Sequence, residues 1–303
     1  MKRLSEICSR ALLLGGGLAL LARLPDDRWL PAAVLVYGTP WLVMGGLGMA
    51  CFLLLRPSWK WLALPLLGFA VQGAWKSLNP MATSPPGRAG LTVANWNAAR
   101  KLAHHPEHWI FPADITVITE TGPFADGPGD AGSSWSSFLA RDPGISWQAF
   151  GEGLTLGVRG RILDHEMFGD ARFLRCVRAE VETRNGLRLD VILVDIRSQP
   201  WLSRRPALEA IFQQALRDRP TLVMGDFNTP AESLLLKSAV NGRLHPAHDS
   251  PVSGFRETWP WGLPLLTLDQ IWTGGGLRPL STRKEIRHSD HQYVESILTL
   301  ESR

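Results

Sequence analysis

A run of 27 residues, 29–55, contains no charged side chain, and this restricts the chain more than any other feature. A helix needs about 20 apolar residues to cross the hydrocarbon of a bilayer, so the run is predicted to span one. A second charge-free run, 61–75, reaches spanning length when Trp59 and Leu78 sit in the interfaces, where tryptophan is favoured. A third, 11–22, is shorter and is bounded by Arg10 and Arg23, whose long side chains can reach the interface. Its rival reading is a cleaved signal peptide, since Lys2, Arg3 and Arg10 precede an apolar stretch of suitable length. The following Arg23-Leu24-Pro25-Asp26-Asp27, however, offers no small-residue cleavage site. The remaining alternative is a set of buried helices in a soluble domain. The expectation is about three transmembrane helices, 11–24, 29–55 and 59–78, in a membrane region of residues 1–78.

Charge placement predicts an orientation. With three spans, Lys2, Arg3 and Arg10 share a side with Arg56 and Lys60, while Asp26, Asp27 and Arg28 lie opposite. The chain is then a multi-pass cell-membrane protein whose following domain is extracytoplasmic. Two spans would return that domain to the side of the N-terminus. Charges occur only at the ends of the spans, which argues against a transport role.

Of 32 Lys+Arg and 28 Asp+Glu, nine and three fall in residues 1–88, leaving 23 and 25 for the rest together with all eight histidines. The pI of about 9.2 therefore belongs to the N-terminal part. It is not the footprint of a nucleic-acid-binding face, which would be basic in its own right. Cys8, Cys51 and Cys176 are scattered, so neither a zinc site nor a disulfide framework is expected.

After a Pro/Ser/Gly-rich linker, 79–90, short β-like runs alternate with turns: 91–95, 115–119, 155–158, 187–196, 221–224 and 268–272. Helical spacing of apolar residues marks 206–217, and a second helix is expected over 231–239. Strands mixed with a few helices imply an α+β layered domain over 91–303. The run from Thr221 leads directly into Gly225, Asp226, Phe227 and Asn228. Asp226 and Asn228, two apart on an extended chain, would point to one side. There they could orient a water and bind a phosphoryl oxygen; the bland alternative is an ordinary strand-to-turn junction.

Gly225-Asp226-Phe227-Asn228 resembles the central motif of the endonuclease/exonuclease/phosphatase superfamily, the deoxyribonuclease I-like fold. Four further segments resemble that superfamily's motifs, in its order: 91–97 ending in Asn97, 114–120 ending in Glu120, 268–271 with Asp269, and Ser289-Asp290-His291. Thr258-Trp259 sits where the superfamily often has a Thr-Trp. The resemblance implies a four-layer α/β/β/α sandwich and a hydrolase of phosphate esters using Mg²⁺ or Mn²⁺. It implies Glu120 as a metal ligand, Asn97 beside it positioning metal or phosphate, and Asp290 as a further metal or water ligand. Asp226 would orient or deprotonate the attacking water, and Asn228 would bond the phosphate. His291 would meet the phosphoryl group, its ring fixed by Asp269.

Two positions depart from the pattern. Asp195 stands where the superfamily commonly has His or Tyr, so the leaving-group step differs or Asp195 binds a second cation. Ala99 stands where nucleases of the superfamily often have another acid. Arg204 and Arg205 offer a phosphate clamp or, equally, a solvated helix start. Trp135, Trp147, Trp201, Trp259 and Trp261 offer an apolar rim or plain core. The expected substrate is a nucleic acid, a nucleotide or a phospholipid, and the expected partner is the bilayer; no protein partner is inferable. The alternative is a non-catalytic membrane-anchored binding module on the same fold, a reading that Asp195 keeps open.

Overall fold

The computed structural model describes residues 2–78, 90–102, 110–122, 138, 140, 142–151, 153–215, 219–251, 254–260 and 262–301. The linker residues 79–89, Trp135, Trp261 and the end of the 206–217 helix lie outside the described residues.

The N-terminal part is helical: α1 (Lys2–Ala22), α2 (Leu30–Gly38), α3 (Trp41–Leu54), a 3₁₀ segment (Pro57–Ala63) and α4 (Leu64–Ser77). The straight spans expected from sequence are not found. The 29–55 run breaks at Thr39-Pro40 into α2 and α3, bent by 73°. Proline lacks the N–H a continuing helix needs and drives the preceding residue out of the α region, and Thr39 has φ −126° and ψ 61°. The 59–78 run begins as the 3₁₀ segment and is α-helical only from Leu64. The 11–24 helix is part of α1, which starts nine residues earlier and ends at Ala22. Among the described residues no single helix is long and apolar enough to cross a membrane, and α2 with α3 qualifies only as a bent pair. The helices pack on each other through Ala19, Met44, Cys51, Ala63 and Leu66.

The rest is a two-sheet α+β sandwich. One sheet is built from β1 (Leu91–Asn97), β2 (Ile115–Thr119), β3 (Ser146–Ala149), β4 (Thr155–Val158), β11 (Leu277–Ile286) and β12 (Gln292–Leu300), in the order β11-β12-β1-β2-β4-β3. The other contains β5 (Gly160–Met167), β6 (Leu174–Thr183), β7 (Arg188–Ile196), β8 (Thr221–Asp226), β9 (His245–Pro246) and β10 (Asp269–Gly274), in the order β5-β6-β7-β8-β10-β9. Alternate residues of the central strands, among them Val93, Val117, Leu193, Met224 and Ile271, fill the space between the sheets. The opposite parity of the second sheet, Ile192, Val194, Val223 and Trp272, is covered by α5 (Arg205–Ala215) and α6 (Leu234–Val240). On the outside of the first sheet Trp96, Phe111, Phe138 and Tyr293 form an aromatic cluster. The six strands expected from sequence are all present, and β3, β5, β6, β9, β11 and β12 were not foreseen. The helix expected over 231–239 forms over Leu234–Val240, where Ser233 caps Leu236 N–H.

Candidate active site

Inward-facing residues of the second sheet run apolar through the core and turn acidic at one end. On β7 Leu189, Val191 and Leu193 lead to Asp195, on β8 Leu222 and Met224 lead to Asp226, and on β10 Ile271 is preceded by Asp269. Register sets these acids in a row, with Asp226 opposite Asp195 in the parallel pair and opposite Asp269 in the antiparallel one. All three are buried.

From the facing sheet, β1 brings Asn97 to the same end, on the parity of Val93 and Asn95. Asn95 Nδ2 donates to the Gly225 carbonyl at 3.0 Å, tying the sheets together beside the site. At Gly225 a Cβ would lie 1.8 Å from the Val194 carbonyl oxygen, so the motif's glycine is required by strand packing.

Glu120 follows β2, where strand alternation would place it on the outer face with Ile118. Its left-handed backbone, φ 50°, turns it inward instead. Asn97 Nδ2 lies 3.4 Å from Glu120 Oε1 and donates to Asp226 Oδ2 at 2.9 Å. Carboxylate oxygens of Glu120, Asp195 and Asp226 all lie within 4.8 Å of one another. Asn228 is also left-handed, φ 43°, as are Ala99 and Arg100 beside Asn97. Such conformations cost about 1 kcal/mol or more each and persist where function holds them. Here they gather around one cluster.

Asp226 and Asn228 do come together, through a tight turn rather than by alternation on an extended chain. Asn228 N–H donates to Asp226 Oδ1 at 2.8 Å, and its Nδ2 reaches Asp226 Oδ2 at 3.0 Å and the Ile196 carbonyl at 2.8 Å. His291 is equally fixed. Its Nδ1 lies 2.8 Å from Asp269 Oδ2 and its Nε2 3.9 Å from Asp226 Oδ2. Ser289 Oγ accepts the His291 N–H at 3.1 Å and donates to the Asn97 carbonyl at 2.7 Å.

Burial alone would discharge the imidazole, but Asp269 and Asp226 outweigh it and hold His291 up at about 10. Burial pushes Asp195 up to about 8, with Asp226 and Glu120 adding repulsion and Arg175 opposing them from 3.0 Å. Asp226 is pushed up in the same way, by burial and then by Asp269, against the pull of His291. Asp195 and Asp226, both pushed up, are poorly matched to being charged together, and a divalent cation between them and Glu120 would favour their charged forms. Oxygens that share a Mg²⁺ sit about 2.1 Å from it, hence about 3–4 Å from each other, so the trio needs only small shifts to hold one. The donor set therefore fits a hard divalent ion.

The other sequence candidates fall elsewhere. Asp290 is exposed, accepts the Trp259 Nε1–H at 3.1 Å and stands outside the acidic trio. Arg204 is buried, and its Nε–H supports the Asn228 carbonyl at 3.2 Å. Arg205 is exposed and paired with Glu209 at 3.7 Å, as a solvated helix start would be. Trp147 packs into the aromatic cluster, 4.8 Å from Phe138, Trp201 is exposed, and Trp259 lies 6.3 Å from His291. Arg175 was not foreseen, and Thr258, named only for the Thr-Trp resemblance, had been given no role. Arg175 is the cation paired with Asp195, and Thr258 Oγ1 accepts the N–H groups of Leu268 and Asp269, both at 3.1 Å. Only the alternating pattern of 174–183 could have placed Arg175 on an inner face.

A two-sheet α+β sandwich with an acidic trio and a His–Asp pair at one end of its central strands defines a class of metal-capable hydrolytic scaffold. The profile of the Endonuclease/Exonuclease/phosphatase family matches residues 94–291, which include Asn97, Glu120, Asp195, Asp226, Asn228, Asp269 and His291, and the chain belongs to that family. Three solved structures share the fold. A functionally unknown conserved protein from Enterococcus faecalis V583 aligns at TM-score 0.55 and 16% identity over 69% of this chain and 100% of its own. A mannosyl-6-phosphatase of Bacteroides thetaiotaomicron VPI-5482 aligns at 0.54 and 15% over 69% and 100%. The human Nocturnin catalytic domain, solved with a bound sulfate anion, aligns at 0.51 and 16% over 71% and 96%. No curated protein matches the chain.

Proposed function

We propose that this chain is a divalent-metal-dependent phosphoesterase whose catalytic domain, residues 91–303, is held at a membrane by residues 1–78. The observation that carries the reading is the convergence of Glu120, Asp195 and Asp226 on one point beside the His291–Asp269 pair.

Glu120, Asp195 and Asp226 would hold Mg²⁺ or Mn²⁺, with Asn97 bridging Glu120 and Asp226. The ion, when bound, would neutralise a phosphoryl oxygen and lower the pKa of a water. Asp226 would orient an attacking water in line with the scissile phosphate ester bond. Asn228, whose two Nδ2–H donors are held by Asp226 and the Ile196 carbonyl, would release one of them to bond the phosphate. His291 stays cationic between Asp269 and Asp226, so its Nε2 faces the developing charge as a fixed donor. Asp195 replaces the His or Tyr of the superfamily pattern with a third carboxylate, which supports cation binding at that position over a second cationic acid. Asp290 and Trp259 form the outer edge, and Arg204 braces the Asn228 turn.

The membrane reading is supported by surface chemistry. Among the described residues, 19 of the 27 exposed large hydrophobic side chains lie between Ile7 and Leu78. Exposed apolar side chains so concentrated in one unit are what a lipid contact would cover. Were α1, the bent α2–α3 pair and α4 each to cross, the placement of Lys and Arg would put the catalytic domain on the extracytoplasmic side. Protease protection in sealed vesicles tests this: cleavage of residues 91–303 only after the cytoplasmic face is opened would contradict it.

Substrate class is tested with the full chain in detergent and Mn²⁺, offered bis-p-nitrophenyl phosphate, p-nitrophenyl phosphate, RNA, plasmid DNA and phospholipid vesicles. Hydrolysis of at least one that is lost in His291→Ala is expected. Equal inertness of wild type and variant on every ester would leave the binding-module alternative.

A further inference from the structure

The helical unit and the sandwich exchange buried acids. Asp27, between α1 and α2, is 4% exposed. Its carboxylate accepts the Ser233 hydroxyl and, at 3.1 Å, the Leu235 N–H, while Tyr37 Oη–H donates to it at 2.8 Å. It thus caps the start of α6 from the other unit. Glu257, on the sandwich, is 3% exposed. Its carboxylate accepts the Trp41 Nε1–H at 2.9 Å from the start of α3 and the Ser77 hydroxyl from the end of α4. Its carbonyl accepts Lys284 Nζ at 3.0 Å.

A buried carboxylate is costly unless donors meet it, so these two contacts are built into the fold. Each acid draws donors from the opposite unit. Between them lies a cavity of about 280 Å³, lined by Tyr37, Trp41, Ser77, Ser233 and Glu257 among others. The polar anchors stand beside two further contacts of the units, the Trp41 ring 6.2 Å from that of Phe255 and a backbone bridge between Leu78 and Phe255.

Both anchors sit on catalytic segments. Ser233 N–H donates to the Pro230 carbonyl at 2.9 Å, closing a turn that starts two residues after Asn228, whose carbonyl is braced by Arg204. Glu257 immediately precedes Thr258, whose hydroxyl holds the Leu268 and Asp269 N–H groups and so places the acid that orients His291. Thr258 also accepts, at its carbonyl, the Gln292 N–H at 3.0 Å, fixing the strand next to His291.

We propose that the N-terminal helical unit is a working part of the catalytic centre, with Asp27 and Glu257 as positioning residues that set the Asn228 turn and the His291–Asp269 pair. This rests on the phosphoesterase reading for its catalytic consequence, and on hydrogen bonding alone for its structural one.

The test uses the full chain in detergent with Mn²⁺ and bis-p-nitrophenyl phosphate, comparing wild type with Asp27→Asn, Glu257→Gln and the double variant Trp41→Phe/Ser77→Ala. The double variant removes the helical donors and leaves the acid in place, which covers a failure of Glu257→Gln to fold. Sub-ångström displacement of reacting groups costs roughly ten- to a hundredfold in rate, so kcat is expected to fall by that much with KM within about twofold. Hydrogen exchange over 225–236 in Asp27→Asn and over 256–270 in the other variants is expected to accelerate. Unchanged exchange in those segments overturns the proposal whatever the activity. Unchanged kcat in a folded variant of an active wild type overturns its catalytic half. A wild type inert on every ester, with exchange accelerated as expected, removes the phosphoesterase reading and leaves the coupling standing.

Discussion

His291 lies between two carboxylates, bonded to Asp269 at 2.8 Å and facing Asp226 at 3.9 Å. Its folded pKa, about 10, lies above the unfolded value of 6.5. The folded state therefore binds the extra proton between those values, so the stabilisation is complete below about pH 6.5 and is lost as pH rises through about 10. The stability advantage of wild type over Asp269→Asn should be largest near pH 6 and fade towards pH 10; thermal midpoints across that range check it, and a constant difference would count against the pairing. The same substitution should lower kcat by about 10²–10⁴, the range of a positioned proton donor or its orienting partner. Asp195 makes the sharpest residue-level distinction. As a cation ligand, its change to Asn should weaken Mn²⁺ binding by roughly tenfold or more, read by calorimetry on the full chain.

At the scale of elements, the strands that were legible are those whose residues are apolar on both faces or run into a polar terminus. β2, β7 and β8 carry buried residues along nearly their whole length because a second layer covers each face. β5 and β11 resemble loops in sequence, since charged and exposed residues fill edge positions whose pairing is decided by distant partners. Pro40 turned one apparent span into two helices, a local rule outweighing a composition count. The site motifs were legible through the resemblance of five ordered segments to the superfamily pattern, since an acid or amide at a strand end is by itself equally an ordinary turn residue. The roles of Arg175, Thr258, Asp27 and Glu257 were not, because each comes from partners in another element: across the β6–β7 pair for Arg175, on the segment entering β10 for Thr258, and across the two units for Asp27 and Glu257. Gly225→Ala tests the packing of β7 on β8: a methyl placed 1.8 Å from the Val194 carbonyl should destabilise by more than about 3 kcal/mol or prevent folding. Leu236→Ala, in the layer between α6 and the sheet, should cost about 2–5 kcal/mol in chemical denaturation.

At the scale of the whole molecule, the sequence presents an apolar third followed by a family domain, which suggests an anchor and a separable enzyme. The contacts of Asp27 and Glu257 describe a joined structure instead. Deleting residues 1–78 leaves the Ser233 cap of α6 but removes the Asp27 acceptor of the Leu235 N–H and the donors to Glu257, so the remaining sandwich should be less stable by about 1–3 kcal/mol and fall in thermal midpoint by several degrees. Equal stability of the truncated and full chains would show the two units to be independent. The central claim, that an acidic trio on this fold holds a divalent ion for phosphoester hydrolysis, is met most directly by titrating Mn²⁺ into the metal-free full chain while following bis-p-nitrophenyl phosphate hydrolysis, beside Asp226→Ala. Hydrolysis that rises with Mn²⁺ occupancy, is abolished by chelation and is absent from Asp226→Ala is the predicted result; hydrolysis indifferent to Mn²⁺, or undiminished in Asp226→Ala, would contradict the account.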